Sequence, residues 1–180
     1  MNNNFPTKNK LLLAVTFVVA FSLSGCITEK VTSGTKLGNK APEIISNGID
    51  GKTLKLSDSK GKMVLLEFWC ATSPDCRKNH NELKRQFNSK KNSDFKKGDG
   101  LTIFSVGLDG DKSIWADAIQ QDELSWKNHV NDFKGWNSDA VIKYEVNTLP
   151  KYYLIDGDGI VIHKNILAKD LDKILNSYLD

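Results

Sequence analysis

The sequence has few of the residues that build common metal, nucleotide and nucleic-acid sites. Of its 180 residues, 3 are histidines and 3 are cysteines, and neither a P-loop nor a dinucleotide-binding glycine pattern occurs. The net charge of +3 at pH 7 is too small to indicate a nucleic-acid partner. We find no internal repeat, and we predict no cofactor and no resident metal. The composition is that of an ordinary globular protein.

Long hydrophobic runs are scarce as well. The apolar run at residues 11–23 is too short to cross a bilayer, and the positive charges of Lys8 and Lys10 before it are typical of a signal peptide. Its end, Leu-Ser-Gly-Cys26, resembles a bacterial lipobox, which implies cleavage before Cys26 and attachment of lipid to that sulfur. The alternatives are an ordinary signal peptide with a chance cysteine and an N-terminal anchor helix.

This pattern predicts three segments. Residues 1–26 are expected to be a lipoprotein signal peptide ending in Cys26, residues 27–36 a flexible tether, and residues 37–180 the folded domain. The expected location is a bacterial membrane, with the domain facing the periplasm or the extracytoplasmic space. A disulfide persists in such a compartment.

The candidate chemistry is concentrated in residues 64–77. An apolar run interrupted only by Glu67 predicts a buried strand. Ser73 then supplies a helix cap and Pro74 suits the first helical position, so Cys76 should lie in the first turn of a helix. The helix dipole favours a thiolate at that place, and we expect a lowered pKa for Cys76.

The rest of the chain alternates strands with helices, which predicts an α/β domain with a mixed sheet. Further strands are predicted at residues 51–57, 101–108, 152–156 and 160–163, and further helices at residues 112–124, 140–144 and 167–179. The helix after Cys76 should place His80, Leu83 and Phe87 on one face. Residues 84–97, rich in Lys, Asn and Ser, are interpreted as a solvated helix end and loop.

Three segments resemble the TlpA/ResA-like reductases of the thioredoxin superfamily and its redoxin branch. Phe68-Trp69 and Cys76-Arg77 match parts of the active-site pattern F-W-A-x-W-C-x-P-C-R. Residues 144–160 match the pattern of the proline loop, and residues 37–44 resemble the redoxin opening. The resemblance implies a thioredoxin-like fold, with a mixed central β-sheet flanked by helices.

The same resemblance implies roles for particular residues. Pro150 should form a cis bond with Leu149 and face the active site, and Glu67 should relay protons to the helical cysteine. Substrate contacts are expected from a set around the active-site turn and the proline loop: Trp69, Ser73, Pro74, Leu149 and Pro150.

One departure from the family leaves the chemistry open. Ser73 stands where the family has its attacking cysteine, and Cys70 takes the family's alanine position. Cys70 and Cys76 could form a displaced redox pair; Cys76 could act alone, because Ser73-x-x-Cys76 resembles a peroxiredoxin; or the fold could bind without redox chemistry. A further alternative is copper binding by Cys70, Cys76 and a histidine, namely one of His80, His129 and His163.

We favour thiol–disulfide exchange on exported proteins. Its partners would be protein thiols and disulfides or a membrane electron donor, with Cys76 as the working thiol and Cys70 as its partner. Alternation along the strand would place Cys70 on the sheet face opposite Glu67 and Trp69. We therefore expect the two cysteines to approach only if the chain turns at Cys70.

Overall fold

The computed structural model describes residues 1–2 and 31–180, and the fold is built within residues 31–180. Three short 3₁₀ helices at Leu56–Ser59, Gly135–Asn137 and Ala168–Asp170 connect the longer elements. The strands and α-helices of these residues are β1 (Ile45–Asn47), β2 (Thr53–Lys55), β3 (Met63–Trp69), α1 (Pro74–Lys90), β4 (Asp94–Phe95), β5 (Gly98–Asp99), β6 (Leu101–Gly107), α2 (Lys112–Gln121), β7 (Asn128–Val130), α3 (Asp139–Lys143), β8 (Lys151–Ile155), β9 (Val161–Lys164) and α4 (Leu171–Asn176).

The main sheet has five strands in the order β7-β6-β3-β8-β9. β3 lies at its centre, parallel to β6 and antiparallel to β8. All seven residues of β3 are buried, as expected of an apolar strand that is covered on both faces. The predicted mixed sheet flanked by helices is confirmed.

Each face of the sheet covers its own core. Met63, Leu65 and Trp69 point towards a cluster that includes α1, α2 and α4, which we name the α1 face. Val64 and Phe68 point the other way, into a cluster that includes α3, which we name the α3 face. Alternation along β3 therefore assigns Glu67 to the α1 face.

Several predicted elements have different limits in the structure. α1 continues to Lys90, and residues predicted as a solvated loop form the small hairpin of β4 and β5. The predicted helix at 167–179 is a 3₁₀ turn followed by the short α4. The short strands β1 and β7 were not predicted, because three residues carry too little periodicity.

Residues 3–26 of the predicted signal peptide, Cys26 among them, lie outside the described residues, as do residues 27–30 of the predicted tether. The described end of that tether is paired with the domain: the Lys40 amide donates to the Thr32 carbonyl at 2.9 Å, and the Gly34 amide donates to the Lys40 carbonyl at 3.0 Å. Thr35 is buried as well. In the part of the chain that the structure describes, no helix is both long and apolar enough to span a membrane.

Candidate active site at the strand-to-helix turn

The turn between β3 and α1 is held by hydrogen bonds on both sides. The Leu108 amide donates to the Trp69 carbonyl and the Ala71 amide to Asp109 Oδ1, both at 2.9 Å. The Ser73 amide then donates to the Cys70 carbonyl at 3.2 Å, so the chain turns at Cys70. The Cys70 side chain nevertheless keeps the face that alternation assigns to it, opposite the face of Cys76.

The start of α1 is as the sequence predicted. Ser73 is the N-cap, its hydroxyl accepts a hydrogen bond from the Cys76 amide at 3.3 Å, and Pro74 opens the helix. Cys76 therefore lies in the first turn of α1. It is fully buried on the α1 face.

The expected thiolate character of Cys76 is wrong for this structure. Burial raises the pKa of Cys76 to about 11, although the Ser73 side chain and the Cys70 backbone act in the opposite direction through hydrogen bonds. Negative charge on Cys70 or Glu67 raises this pKa further. Desolvation of a fully enclosed sulfur outweighs the helix dipole, so Cys76 is a protonated thiol near neutral pH.

Cys70 has the opposite environment. It is half-buried, packs against the α3 face, and lines an open cavity of about 460 Å³ together with Thr72, Asp109, Trp136 and Leu149. Alternation thus places it where the sequence predicted. Cys70 and Cys76 are both free thiols in the described chain, and their disulfide stays a prediction. The Cys70 backbone lies near enough to the Cys76 sulfur to lower the pKa of Cys76 against the effect of burial.

Glu67 is fully buried on the same face as Cys76, as predicted. Ser105 on the neighbouring β6 donates its hydroxyl proton to Glu67 Oε2 at 2.7 Å, and Trp126 Nε1 donates to the Ser105 hydroxyl at 2.9 Å. Its other oxygen, Oε1, lies 3.5 Å from His80 Nε2. This acid is a buried group beside the thiol, not a solvated residue at the strand end.

His80 lies between Glu67 on β3 and Asp122 at the end of α2. Its Nδ1 lies 2.5 Å from Asp122 Oδ2, and Arg77 pairs with the same carboxylate. Burial lowers the pKa of His80, but the negative charges of Glu67 and Asp122 and the hydrogen bond with Asp122 outweigh burial and raise this pKa above its ordinary value. Burial alone would raise the pKa of Asp122. Hydrogen bonds and positive charge from Arg77 and His80 outweigh burial, so the pKa of Asp122 is lowered.

The expected substrate contacts divide into two groups. Pro74 is exposed and Ser73 is half-buried at the turn, while Leu149 lines the cavity of Cys70 and precedes a cis peptide bond to Pro150, as predicted. Trp69 is wrong as a substrate contact. It is fully buried on the α1 face, where its ring meets the ring of His80 edge-on at 4.7 Å.

Sequence reasoning missed two acids of this site. Asp109 is buried after β6, and burial raises its pKa although the Ala71 amide opposes the change. Asp122 follows α2 and reaches the site only through the fold. The signal for Asp109 was its place directly after a central strand, whose end lies beside the turn after β3. For Asp122 the sequence carries no comparable signal.

The copper alternative has no support in the described ranges, residues 1–2 and 31–180. Within them, no three histidine, cysteine, aspartate or glutamate side chains are grouped closely enough to hold a metal ion. His80 is buried on α1 and His129 on β7, and His163 lies on β9 against Tyr178.

Comparison with known proteins agrees with the fold. The Redoxin family profile matches residues 36–178. The thiol-disulfide oxidoreductase ResA of Bacillus anthracis is 29% identical over 189 residues, covering 96% of each chain. The thioredoxin domain of a thiol-disulfide oxidoreductase from Bacteroides vulgatus is 30% identical, with a TM-score of 0.72 over 81% of this chain and 99% of that one.

A second solved structure gives the same result. The C-terminal domain of a thiol-disulfide oxidoreductase from Bacteroides thetaiotaomicron is 28% identical, with a TM-score of 0.71 over 80% of this chain. The chain therefore belongs to the Redoxin family and is a TlpA/ResA-like member of the thioredoxin superfamily.

Proposed function

We propose that this chain is a thiol–disulfide oxidoreductase that uses Cys70 and Cys76 as its redox pair. The similarity to ResA supports the reaction class. The observation that carries the proposal is the contrast between the two thiols: Cys70 lines an open cavity, whereas Cys76 is enclosed beside the Cys70 backbone and a buried acid. One thiol is accessible to a substrate disulfide, and the other is protected until that substrate is bound.

This contrast reverses the roles expected from the sequence. As a thiolate, Cys70 attacks a substrate disulfide, forms a mixed disulfide and displaces the first substrate thiolate. Cys76 then loses its proton and attacks the Cys70 sulfur, which displaces the second substrate thiolate and leaves a Cys70–Cys76 disulfide. Two electrons pass to the substrate, and a dithiol donor returns the pair to its reduced form.

Leu149 and Pro150 support an extended substrate beside Cys70. Leu149 lines the cavity, and Pro150 follows it immediately before β8. Exported proteins with disulfides are the substrate class. Trp136 contributes an exposed aromatic wall to the same cavity.

The redox pair is tested on the full chain carrying Cys26→Ser, in which Cys70 and Cys76 are the remaining cysteines. After mild oxidation, a loss of two hydrogens that dithiothreitol reverses supports the proposal. Two free thiols after oxidation overturn it, and so does sulfenic acid on Cys76, which favours the peroxidase-like alternative. Cys76→Ser should accumulate mixed disulfides on Cys70, whereas Cys70→Ser should accumulate none.

We also propose that lipid on Cys26 anchors the domain to a membrane outside the cytoplasm. The lipobox-like sequence supports this, and buried acyl chains add about 0.8 kcal/mol per methylene to membrane binding. In membrane fractionation, Cys26→Ser should move to the soluble fraction after signal cleavage, while Cys70→Ser stays with membranes. A cleaved Cys26→Ser chain that still sediments with membranes contradicts the anchor.

A further inference from the structure

His80 lies between two carboxylates that face different surroundings. Its Nε2 is 3.5 Å from Glu67 Oε1, and its Nδ1 is 2.5 Å from Asp122 Oδ2. The Glu67 and His80 side chains are 0% and 1% exposed, whereas Asp122 is 16% exposed. A single imidazole thus links the enclosed acid beside Cys76 to a carboxylate at the surface.

Each of the three side chains, Glu67, His80 and Asp122, is held in place by a neighbouring residue. Ser105 fixes Glu67 through the 2.7 Å hydrogen bond to Oε2, Trp69 packs edge-on against the imidazole, and Arg77 pairs with Asp122. The ring is therefore kept with one nitrogen towards each carboxylate.

Other charged and titratable groups around the ring come from three neighbouring elements. Cys76 and Arg77 lie on α1 itself. Glu67 comes from β3 and Asp122 follows α2. From β7, His129 interacts electrostatically with His80, but burial lowers the pKa of His129 to about 4 and keeps it neutral near pH 7. The two carboxylates therefore set the charge of His80.

A proton from Cys76 needs such a route. Cys76 and Glu67 are both fully buried, so water does not reach the thiol or its neighbouring acid directly. A proton accepted by Glu67 has to leave through other protein groups before the site is reset. The imidazole is the group next to Glu67 that also reaches the surface acid.

We propose that His80 and Asp122 are positioning residues that carry the proton of Cys76 from Glu67 to solvent when Cys76 attacks the mixed disulfide. The inference rests on the proposed function, since it requires Cys76 to act as the resolving thiol. Sequence similarity assigns no role to either residue; their place in the relay follows from the contacts described above.

The proton balance of the step is complete. The relay runs through the neutral form of His80, with its proton on Nδ1 towards Asp122 and its free Nε2 towards Glu67. Glu67 takes the proton of the Cys76 thiol and passes it to Nε2, while the Nδ1 proton moves to Asp122 and from there to water. Glu67 is again a carboxylate, His80 is again neutral, and the Cys76 thiolate attacks the Cys70 sulfur and displaces the substrate thiolate.

The first experiment measures this step in a single turnover. Dithionitrobenzoate reacts with Cys70 in the Cys26→Ser chain and releases one coloured thiol, and attack by Cys76 releases the second. His80→Gln and Asp122→Asn should slow the second release about a hundredfold at pH 7, the lower range of a positioned acid–base group. The matched control is Glu123→Gln, which removes a charge from the neighbouring, 84% exposed residue.

A soluble base separates proton transfer from a structural role. In Asp122→Asn, added imidazole should restore the second release towards the rate of the parent chain, since it accepts the proton at the same surface. Unchanged rates in both variants overturn the proposal, and so does a slow Asp122→Asn that imidazole does not restore. Slowing of Glu123→Gln to the same extent overturns it too, because general surface charge would then explain the effect.

The second experiment does not depend on disulfide exchange. Nitrogen NMR of the His80 ring in Glu67→Gln should show its pKa lowered from the parent value, because one of two anionic partners is gone. An unchanged His80 titration overturns the relay even where exchange occurs. If the parent chain releases no second coloured thiol but His80 still responds to Glu67→Gln, the proposed function fails and the coupling of His80 to Glu67 stands.

Discussion

At the scale of single residues, Cys76 shows which of two opposing effects determines the reactivity of a helical thiol. A helix N-terminus stabilises a nearby negative charge by about 0.3–1 kcal/mol, which is less than one pKa unit. Full burial raises a thiol pKa by several units at most. For Cys76 the net result is a rise from 9.0 to about 11, so desolvation is the larger effect.

This difference predicts the order of alkylation in the folded, reduced chain. At pH 8 a thiol with a pKa of about 11 is ionised in about one molecule in a thousand, and Cys76 is also inaccessible. Iodoacetamide should therefore modify Cys70 at least tenfold faster than Cys76, as peptide mass mapping measures. In denaturant the two rates should become similar. Faster modification of Cys76 in the folded chain contradicts the assignment of roles.

At the scale of elements, the turn between β3 and α1 places a helix cap between the two cysteines. Ser73 lies between Cys70 and Cys76 in the chain, and its hydroxyl accepts a hydrogen bond from the Cys76 amide. The accessible thiol of this chain, Cys70, lies before the cap, at the first residue after β3.

The cap predicts a measurable contribution to stability. Ser73→Ala leaves an amide of the first turn without its side-chain acceptor, and we expect the free energy of unfolding to fall by about 1 kcal/mol. Urea denaturation measures the change. Ser125→Ala, at an exposed loop position, should leave the stability within about 0.5 kcal/mol of the parent chain. Equal effects of both substitutions would contradict a capping role.

At the scale of the whole molecule, the sheet order assembles the site from distant parts of the chain. β6 places Ser105 beside Glu67, and β7 places His129 beside Ser105. His129 is buried and stacks on Trp126 with ring centroids 5.2 Å apart. Burial lowers its pKa from 6.5 to about 4, so this histidine is neutral in the folded protein at pH 5 to 7.

Because of His129, we expect the free energy of unfolding to be lower in mild acid than at pH 7. Between about pH 6.5 and 4 the unfolded chain binds a proton at this position that the folded chain does not, so the free energy of unfolding falls as the pH falls. The full loss is about 3 kcal/mol. Urea denaturation across this range should show a smaller loss in His129→Gln than in the parent chain.

Two comparisons make this test specific. His163→Gln removes a half-buried histidine on β9 and should keep the parent slope. The raised pKa of His80 affects stability in a different pH range. Its contribution to the free energy of unfolding is complete below pH 6.5 and is lost as the pH rises through the pKa of His80 in the folded protein. A parent slope that survives in His129→Gln would contradict the assignment to His129.

Local sequence was sufficient for much of the fold. The apolar run around Glu67 predicts the central strand, Ser73 and Pro74 predict the start of α1, and resemblance to the family predicts the cis bond at Pro150. Each prediction agrees with the structure. Helix capping and the apolar pattern of a buried strand depend on residues within a short stretch of the chain, so the sequence alone shows them.

The properties of the site residues depended on packing from far along the chain. Sequence alone determined that Cys76 stands at a helix start and that Cys70 follows the strand on the other face. Only the tertiary structure decided that α2 and α4 help to enclose the α1 face, making Cys76 a protonated thiol, and that Asp122 reaches His80. Desolvation and charge pairing are set by which distant segments meet, so local pattern does not specify them.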